Sequence, residues 1–495
     1  MIAAHLPALQ VVVPLVAAPL CVFLRHGNLA WGLALIVSWT AAAIAIALLA
    51  AVISGGVISY ELGGWAPPWG IEYRIDALNA FVLLIVSGIS ALVLPYARRS
   101  IASEIDPENH ALFYSCYLLC LTGLLGVTIT GDAFNLFVFL EISSLSTYIL
   151  VGMGAKRDRR ALTAAYTYLV MGTIGATFFV IGVGLLYMMT GTLNMADIAS
   201  RIGDISANRT VHVAFAFLVV GIGLKLAMFP LHLWLPNAYA YAPSAVTVFI
   251  AATATKVAVY VLLRFLFTVF GFGFPLQAQT LVYVFLPLAL AAMFAASTVA
   301  IFQTDIKRML AYSSVAQLGY MVLGLSFGSI AGLTATIIHL FNHALMKGGL
   351  FMALGCVVLR MGGATMETVK GLGQQMPFTM AAFVAGGLSL IGLPLTVGFI
   401  SKWYLILAAI EAGWWPVAVL IVAASLLAVI YVWRVVEAAY FQEAPQGRRI
   451  EEAPLIMLVP MWVLIGANIY FGIDAGLTTS VADLAARSLV GGVAP

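Results

Sequence analysis

The sequence predicts an all-α polytopic membrane protein of about fourteen transmembrane helices. Three observations carry that prediction. Of 495 residues, 63% are hydrophobic and 9% are charged, against about 25% charged in an ordinary soluble domain. So few polar side chains cannot cover a water-facing surface. Apolar runs long enough to cross a hydrocarbon core recur fourteen times, and lysine and arginine alternate between rich and poor loops in step with them. The mean hydropathy of +1.07 excludes a disordered chain or a disulfide scaffold. No basic tract suggests nucleic acid, and no motif suggests a nucleotide, haem or iron–sulfur cofactor.

The runs fall at roughly 5–24, 28–54, 76–97, 111–130, 132–154, 161–190, 210–230, 244–270, 279–302, 310–328, 332–359, 378–408, 413–440 and 454–474. The first lacks a basic leading region and a small-residue cleavage site, so it reads as a span rather than a cleaved signal. No loop is long enough for a soluble module, so residues 1–495 read as one membrane domain. Loops after the odd-numbered spans hold thirteen basic residues: Arg25, Arg98, Arg99, Lys156, Arg157, Arg159, Arg160, Lys307, Arg308, Arg360, Lys370, Arg448 and Arg449. The opposite loops hold Arg74, Arg201, Arg209 and Arg487. The excess predicts that both termini lie on the outer side of a bacterial cytoplasmic membrane.

Six basic residues remain inside the runs. Arg264 and Arg434 lie late in theirs, where they can snorkel or pair locally; Arg434 has Glu437 three residues on. Lys225, Lys256, Lys347 and Lys402 lie deeper, as does Glu141. Five unpaired groups would cost about 12–18 kcal/mol on the insertion scale. They must therefore face the bundle interior, pair with one another or meet water. Structural ion pairing is the bland account, but four lysines against one evident carboxylate make poor glue. His339, His343 and Lys347 recur every four residues and share one helix face. That stripe reads as a proton wire rather than a metal site, because the nearest carboxylate is distant in sequence. His232 follows Lys225 by seven residues on a similar face. Asp76, Asp132 and Asp305 sit at span edges as helix caps. The four cysteines lie in apolar runs without metal or redox spacing.

Two helices read as broken in mid-membrane. Pro230, Pro236 and Pro243 follow Lys225, and Gly392 and Pro394 precede Lys402. Proline frees backbone carbonyls, which in lipid need water or polar partners; transporters build ion sites at such interruptions. Pro230 and Pro394 lie 164 residues apart, each with a buried lysine on its helix. This suggests two related halves, at roughly 110–275 and 279–440.

The strings FNLFVFLEISSLSTY, GLKLAMFPLHLWLPNAYAYAP, TDIKRMLAYSSVAQLGY, HLFNHALMKGGLF and GLPLTVGFISKWYL resemble the antiporter-like membrane subunit family. That family includes proton-pumping subunits of respiratory complex I and the A and D subunits of Mrp-type multisubunit cation/proton antiporters. The resemblance implies fourteen helices with two inverted five-helix repeats. It implies that Glu141 and Lys225 form a buried acid–base pair, that Lys256 connects onward, and that His339, His343 and Lys347 form a central polar axis. Lys402 then matches a terminal lysine near an exit. Tyr239 stands where many relatives carry a second histidine. The FNLFVFLEI wording, a lysine at 402 and a chain closing soon after the fourteenth span are most similar to the D-type members.

Contact with a carboxylate favours a protonated amine, and loss of that contact favours release. A swing of three pKa units is worth about 4 kcal/mol, which a potential of about 150–200 mV also supplies per charge. One Glu–Lys contact, made and broken, can therefore gate a proton. The expected function is proton translocation in a multisubunit Na+ or K+/proton antiporter, with other membrane subunits as partners and no catalysis of its own. The alternative is a pumping subunit of NADH–quinone oxidoreductase or a membrane-bound hydrogenase. A stand-alone carrier of organic solutes fits the line of lysines poorly.

The orientation is testable by labelling. Arg159→Cys is expected to react in intact cells with a membrane-permeant maleimide alone, and Arg201→Cys also with an impermeant one; the reverse pattern would refute the assignment.

Overall fold

The computed structural model describes residues 2–445 and 449–491. Arg448, one of the basic loop residues, lies outside the described residues. In hydrocarbon each backbone N–H and C=O must find its partner within the chain, which leaves the helix as the natural spanning form. Thirteen helices of 18 to 32 residues are long and apolar enough to cross a bilayer. A fourteenth crossing is made by two half-helices, Pro377–Ile391 and Val397–Glu411, so the predicted run at 378–408 is interrupted. The most enclosed spans are Ser244–Val269, Ile306–Ser326, Pro107–Ile129 and Ile330–Met361, and these carry most of the inward polar groups. Leu6–Leu24, Gly27–Gly55 and Trp415–Tyr440 turn broad apolar faces outward.

Helix starts follow capping chemistry. Asp76 accepts from Asn79 N in a reciprocal capping box, Asp132 from Asn135 N at 2.7 Å and Asp305 from Arg308 N at 2.8 Å. These three carboxylates are therefore the caps expected. Short elements between the spans leave no signal in the run of hydropathy: an antiparallel hairpin of Ile58–Glu61 with Glu72–Ile75, and amphipathic helices Met195–Ile205 and Gly476–Val490. Each falls below the length of a span. The last buries Val481, Ala482, Ala485, Ala486 and Leu489 on one stripe against the bundle.

Three spans are interrupted. Arg209–Leu226 ends with Ala227 in the left-handed region (φ 58°), and Pro230 lies in the turn before the chain resumes as Trp234–Tyr241. Pro236 lies inside the resumed helix, near its start, where a missing N–H costs little; it is not part of the break. Pro243 caps the next helix. Gly392 (φ 94°) ends Pro377–Ile391, and Pro394 lies in the gap before Val397. The third break, at Thr253 (φ −125°, ψ −57°), splits Ser244–Ala252 from Ala254–Leu263 and has no proline or glycine to announce it.

The second broken crossing is held by direct backbone approach. A Cβ on Gly398 would collide with the Ser389 carbonyl, joining the two half-helices without intervening side chains. Gly398→Ala should lower the thermal midpoint of the purified protein by an amount matching about 1–3 kcal/mol. Gly32→Ala, at a position with open space around it, should leave the midpoint in place.

Candidate functional site

Each break brings backbone carbonyls, or a helix end that carries them, close to a buried lysine. Lys225 closes the half-helix Arg209–Leu226. Its Nζ donates to Glu141 Oε1 at 3.1 Å and to Ser144 Oγ at 2.7 Å. The Lys225 side chain is 8% exposed and that of Glu141 24%, so the pair lies at the flank of the bundle with its carboxylate outermost. Both acceptors come from Ala133–Gly152, where Glu141 and Ser144 are three residues apart on one face.

Lys256 is fully buried beyond the Thr253 break. Its Nζ donates to the Ala251 carbonyl at 2.5 Å, with Thr255 Oγ1 at 3.4 Å. Lys347, also fully buried, donates to the Leu310 carbonyl at 2.8 Å and to Ser313 Oγ. Lys402 lies under the end of Pro377–Ile391 and donates to the last carbonyls of that half-helix, Leu390 at 3.0 Å and Ile391 at 2.7 Å. The unpaired carbonyls at a helix C-terminus carry partial negative charge, which favours a cation there. The Tyr320 ring lies 5.1 Å from the same ammonium.

His339 and His343 stack 6.0 Å apart on Ile330–Met361. His339 Nδ1 is hydrogen-bonded to Ser401 Oγ at 2.8 Å, while its Nε2 and both ring nitrogens of His343 have no partner among the described residues. Buried polar atoms without partners are rare, so these three nitrogens stand out in the interior. His343 lies within Coulombic range of Lys256, Lys347 and His339; His339 lies within range of Lys402 and Lys256. The structure thus brings Lys256, His343, Lys347, His339 and Lys402 into one buried region of the bundle. Lys225 stands at the flank of the bundle; nearby, the Tyr148 and Tyr168 rings pack at 4.8 Å and the Tyr239 hydroxyl donates to the Ile250 carbonyl at 3.4 Å.

Several sequence expectations change. His232 does not continue the face of Lys225, because the helix stops between them; its ring stacks on Phe229 at 5.2 Å in the turn. Arg434 donates to the Gln303 carbonyl at 3.3 Å, in the loop between Pro275–Ile301 and Ile306–Ser326, and forms no described ion pair with Glu437. Arg264 does not snorkel: it pairs with Asp76 at 2.8 Å and donates to Asn79 Oδ1 at 2.7 Å. Lys307, assigned from sequence to a loop, is buried and donates to the Ala242 carbonyl at 3.2 Å. Its position at a span edge concealed this, since a lysine at the second residue of a helix reads equally as loop. All four cysteines are buried and free.

The chain has known relatives in both sequence and fold. Residues 130–428 match the profile described as "NADH:quinone oxidoreductase/Mrp antiporter, TM", and this chain belongs to that family of membrane proteins. It is similar to the N-type subunit of NADH-quinone oxidoreductase from Desulforudis audaxviator, 43% identical over 93% of this chain and 94% of that relative. It is also similar to the D-type subunit of the Na+/H+ antiporter from Alkalihalophilus pseudofirmus, 29% identical over 86% and 85%. Among solved structures it resembles a chain of the archaeal membrane-bound sulfane sulfur reductase, with TM-score 0.91, 32% identity and 98% of both chains covered. A chain of the Mrp complex from a Dietzia species gives TM-score 0.88 at 26% identity, covering 99% and 98%. The chain is a multi-pass membrane subunit of the kind found in multisubunit ion-translocating and respiratory complexes.

The Asp76–Arg264 pair can be weighed by a mutant cycle. Asp76→Ala leaves a buried guanidinium without its carboxylate and should destabilise the protein by about 3–5 kcal/mol. Adding Arg264→Met should restore most of the lost thermal midpoint; no recovery would mean that Asp76 acts through capping alone.

Proposed function

We propose that this chain moves protons through the membrane arm of a multisubunit complex in a bacterial cytoplasmic membrane. The reading rests above all on one observation: four lysines and two histidines lie in the bundle interior, three of the lysines held by neutral acceptors. Glu141 and Lys225 form the gating pair. Lys256, His343, Lys347 and His339 pass the proton inward, and Lys402 delivers it to the far side. His232, in the turn after Lys225, borders the entry. The breaks at Thr253 and Gly392 supply the carbonyls that keep Lys256 and Lys402 solvated while they gain or lose a proton. Residues 110–275 and 279–440 act as two inverted repeats, the first holding Lys225 and Lys256 with two breaks and the second Lys347 and Lys402 with one. The chain itself performs no redox step, and the positive-inside pattern sets both termini outside.

Two assemblies would use such a chain. The D-type wording around Glu141, the lysine at 402 and the likeness to the Mrp chain favour Na+ or K+/proton exchange. The 43% identity with an N-type oxidoreductase subunit favours a redox-driven complex, where the chain would be a non-catalytic pumping arm.

Inverted vesicles holding the complete complex, compared with a version lacking this chain, separate these outcomes. Proton flux that depends on added Na+ or K+ and vanishes without the chain supports the antiporter. Flux that requires a reductant supports the redox complex. Flux that survives loss of the chain refutes both. Within the intact complex, Glu141→Ala and Lys225→Ala should each reduce coupled flux at least tenfold at unchanged membrane abundance. Normal flux in both variants would contradict the gate.

A further inference from the structure

We infer that the arginine-rich end of the bundle holds the phosphate headgroup of an anionic phospholipid. Two adjoining hollows share Arg99, Ala102 and Pro454. The larger, about 620 Å³, is lined by Asn28, Trp31, Arg98, His110 and Tyr114; the other, about 430 Å³, reaches Ser103 and Arg360.

The arginines are arranged for an external anion. The Trp31 indole N–H donates to the Leu94 carbonyl at 2.9 Å, which fixes the ring, and Arg98 rests over that ring at 4.6 Å. Neither Arg98 nor Arg99 forms an ion pair among the described residues. Three other basic groups on the same end are committed, Arg157 to Glu104 at 2.6 Å, Lys156 to Asp106 at 2.7 Å and Arg160 to Asp158 at 2.6 Å, while Arg25, Arg159 and Arg308 have no described ion pair but line neither hollow. Two adjacent guanidiniums without a carboxylate form the donor fork that suits phosphate.

The surroundings select a lipid over a free ion. The larger hollow is lined in part by Gly27–Gly55 and Leu455–Ile473, whose outward side chains include Leu29 and Leu455, at 56% and 74% exposed. Acyl chains would cover these faces while the headgroup meets the arginines. Trp31 and Tyr114 have the amphipathic character found at headgroup depth, and basic pockets between spans on the positive side are suited to anionic headgroups. This inference stands apart from the proton path and does not depend on it.

Delipidated complete complex is titrated with phosphatidylglycerol, phosphatidylcholine or inorganic phosphate while its thermal midpoint is followed. Phosphatidylglycerol should raise the midpoint saturably and the other two should not. Arg98→Gln/Arg99→Gln should need about thirtyfold more phosphatidylglycerol for the same shift. Arg159→Gln, on the same end but outside the hollows, should titrate as the wild type does. If the double variant does not assemble, Arg99→Gln alone is read on the same scale, with about fivefold weakening expected. No shift in the wild type, an unchanged titration in the variants, or a full shift with inorganic phosphate alone would each overturn the proposal.

Discussion

The structure depends on how amines are solvated in a bundle that excludes water. Lys256, Lys347 and Lys402 rest on backbone carbonyls and hydroxyls, while Lys225 meets a carboxylate. A carbonyl accepts a hydrogen bond from a neutral amine or an ammonium alike, whereas a carboxylate strongly prefers the ion. An amine on carbonyls can therefore change protonation state without losing its anchor. A row of fixed ion pairs would instead be static and would need one carboxylate for every lysine.

Inside an intact helix each carbonyl also serves the N–H four residues on, as in Ile306–Ser326, whose Leu310 carbonyl meets Lys347 as a second acceptance; carbonyls free of that duty occur at helix ends and interruptions. The breaks supply them. Leu390 and Ile391 are freed because Gly392 turns left-handed and Pro394 follows, and the resumed helix then places Lys402 beneath them. Such irregular backbone is tolerated at membrane depth only when packed by protein. Gly398 against Ser389, and Gly472 against Thr396, provide that packing through direct backbone approach. Fold and site thus share one cause: the interruption that exposes the carbonyls is also the contact that holds the half-helices together.

Two buried charges that do not belong to the interior cluster are neutralised nearby. Arg264 is closed by Asp76 and Asn79, and Glu104 takes Arg157, Ser100 and the Ser244 N–H. Against that background Arg98 and Arg99 differ because their charge is left facing outward at a hollow. Charges that remain open are the informative ones in a protein that otherwise pairs what it buries.

Hydropathy by itself determined the membrane class, the span count and nearly every helix, because a hydrocarbon solvent forces apolar runs of fixed length. Helical periodicity alone was enough for the His339–His343–Lys347 stripe, and Pro230, Gly392 and Pro394 marked two of the breaks. Tertiary structure decided what periodicity along one helix cannot encode: that Lys225 meets Glu141, Lys402 meets Leu390 and Ile391, and Arg264 meets Asp76. It alone revealed the Thr253 break, which carries no glycine or proline, and the burial of Lys307 at a span edge. It also separated His232 from the face of Lys225, because a turn between them ends the phase on which that expectation rested. The physical reason is common to all of these. A sequence states which groups must be satisfied in oil, but partners come from helices far apart in the chain, and only packing brings them within a hydrogen bond.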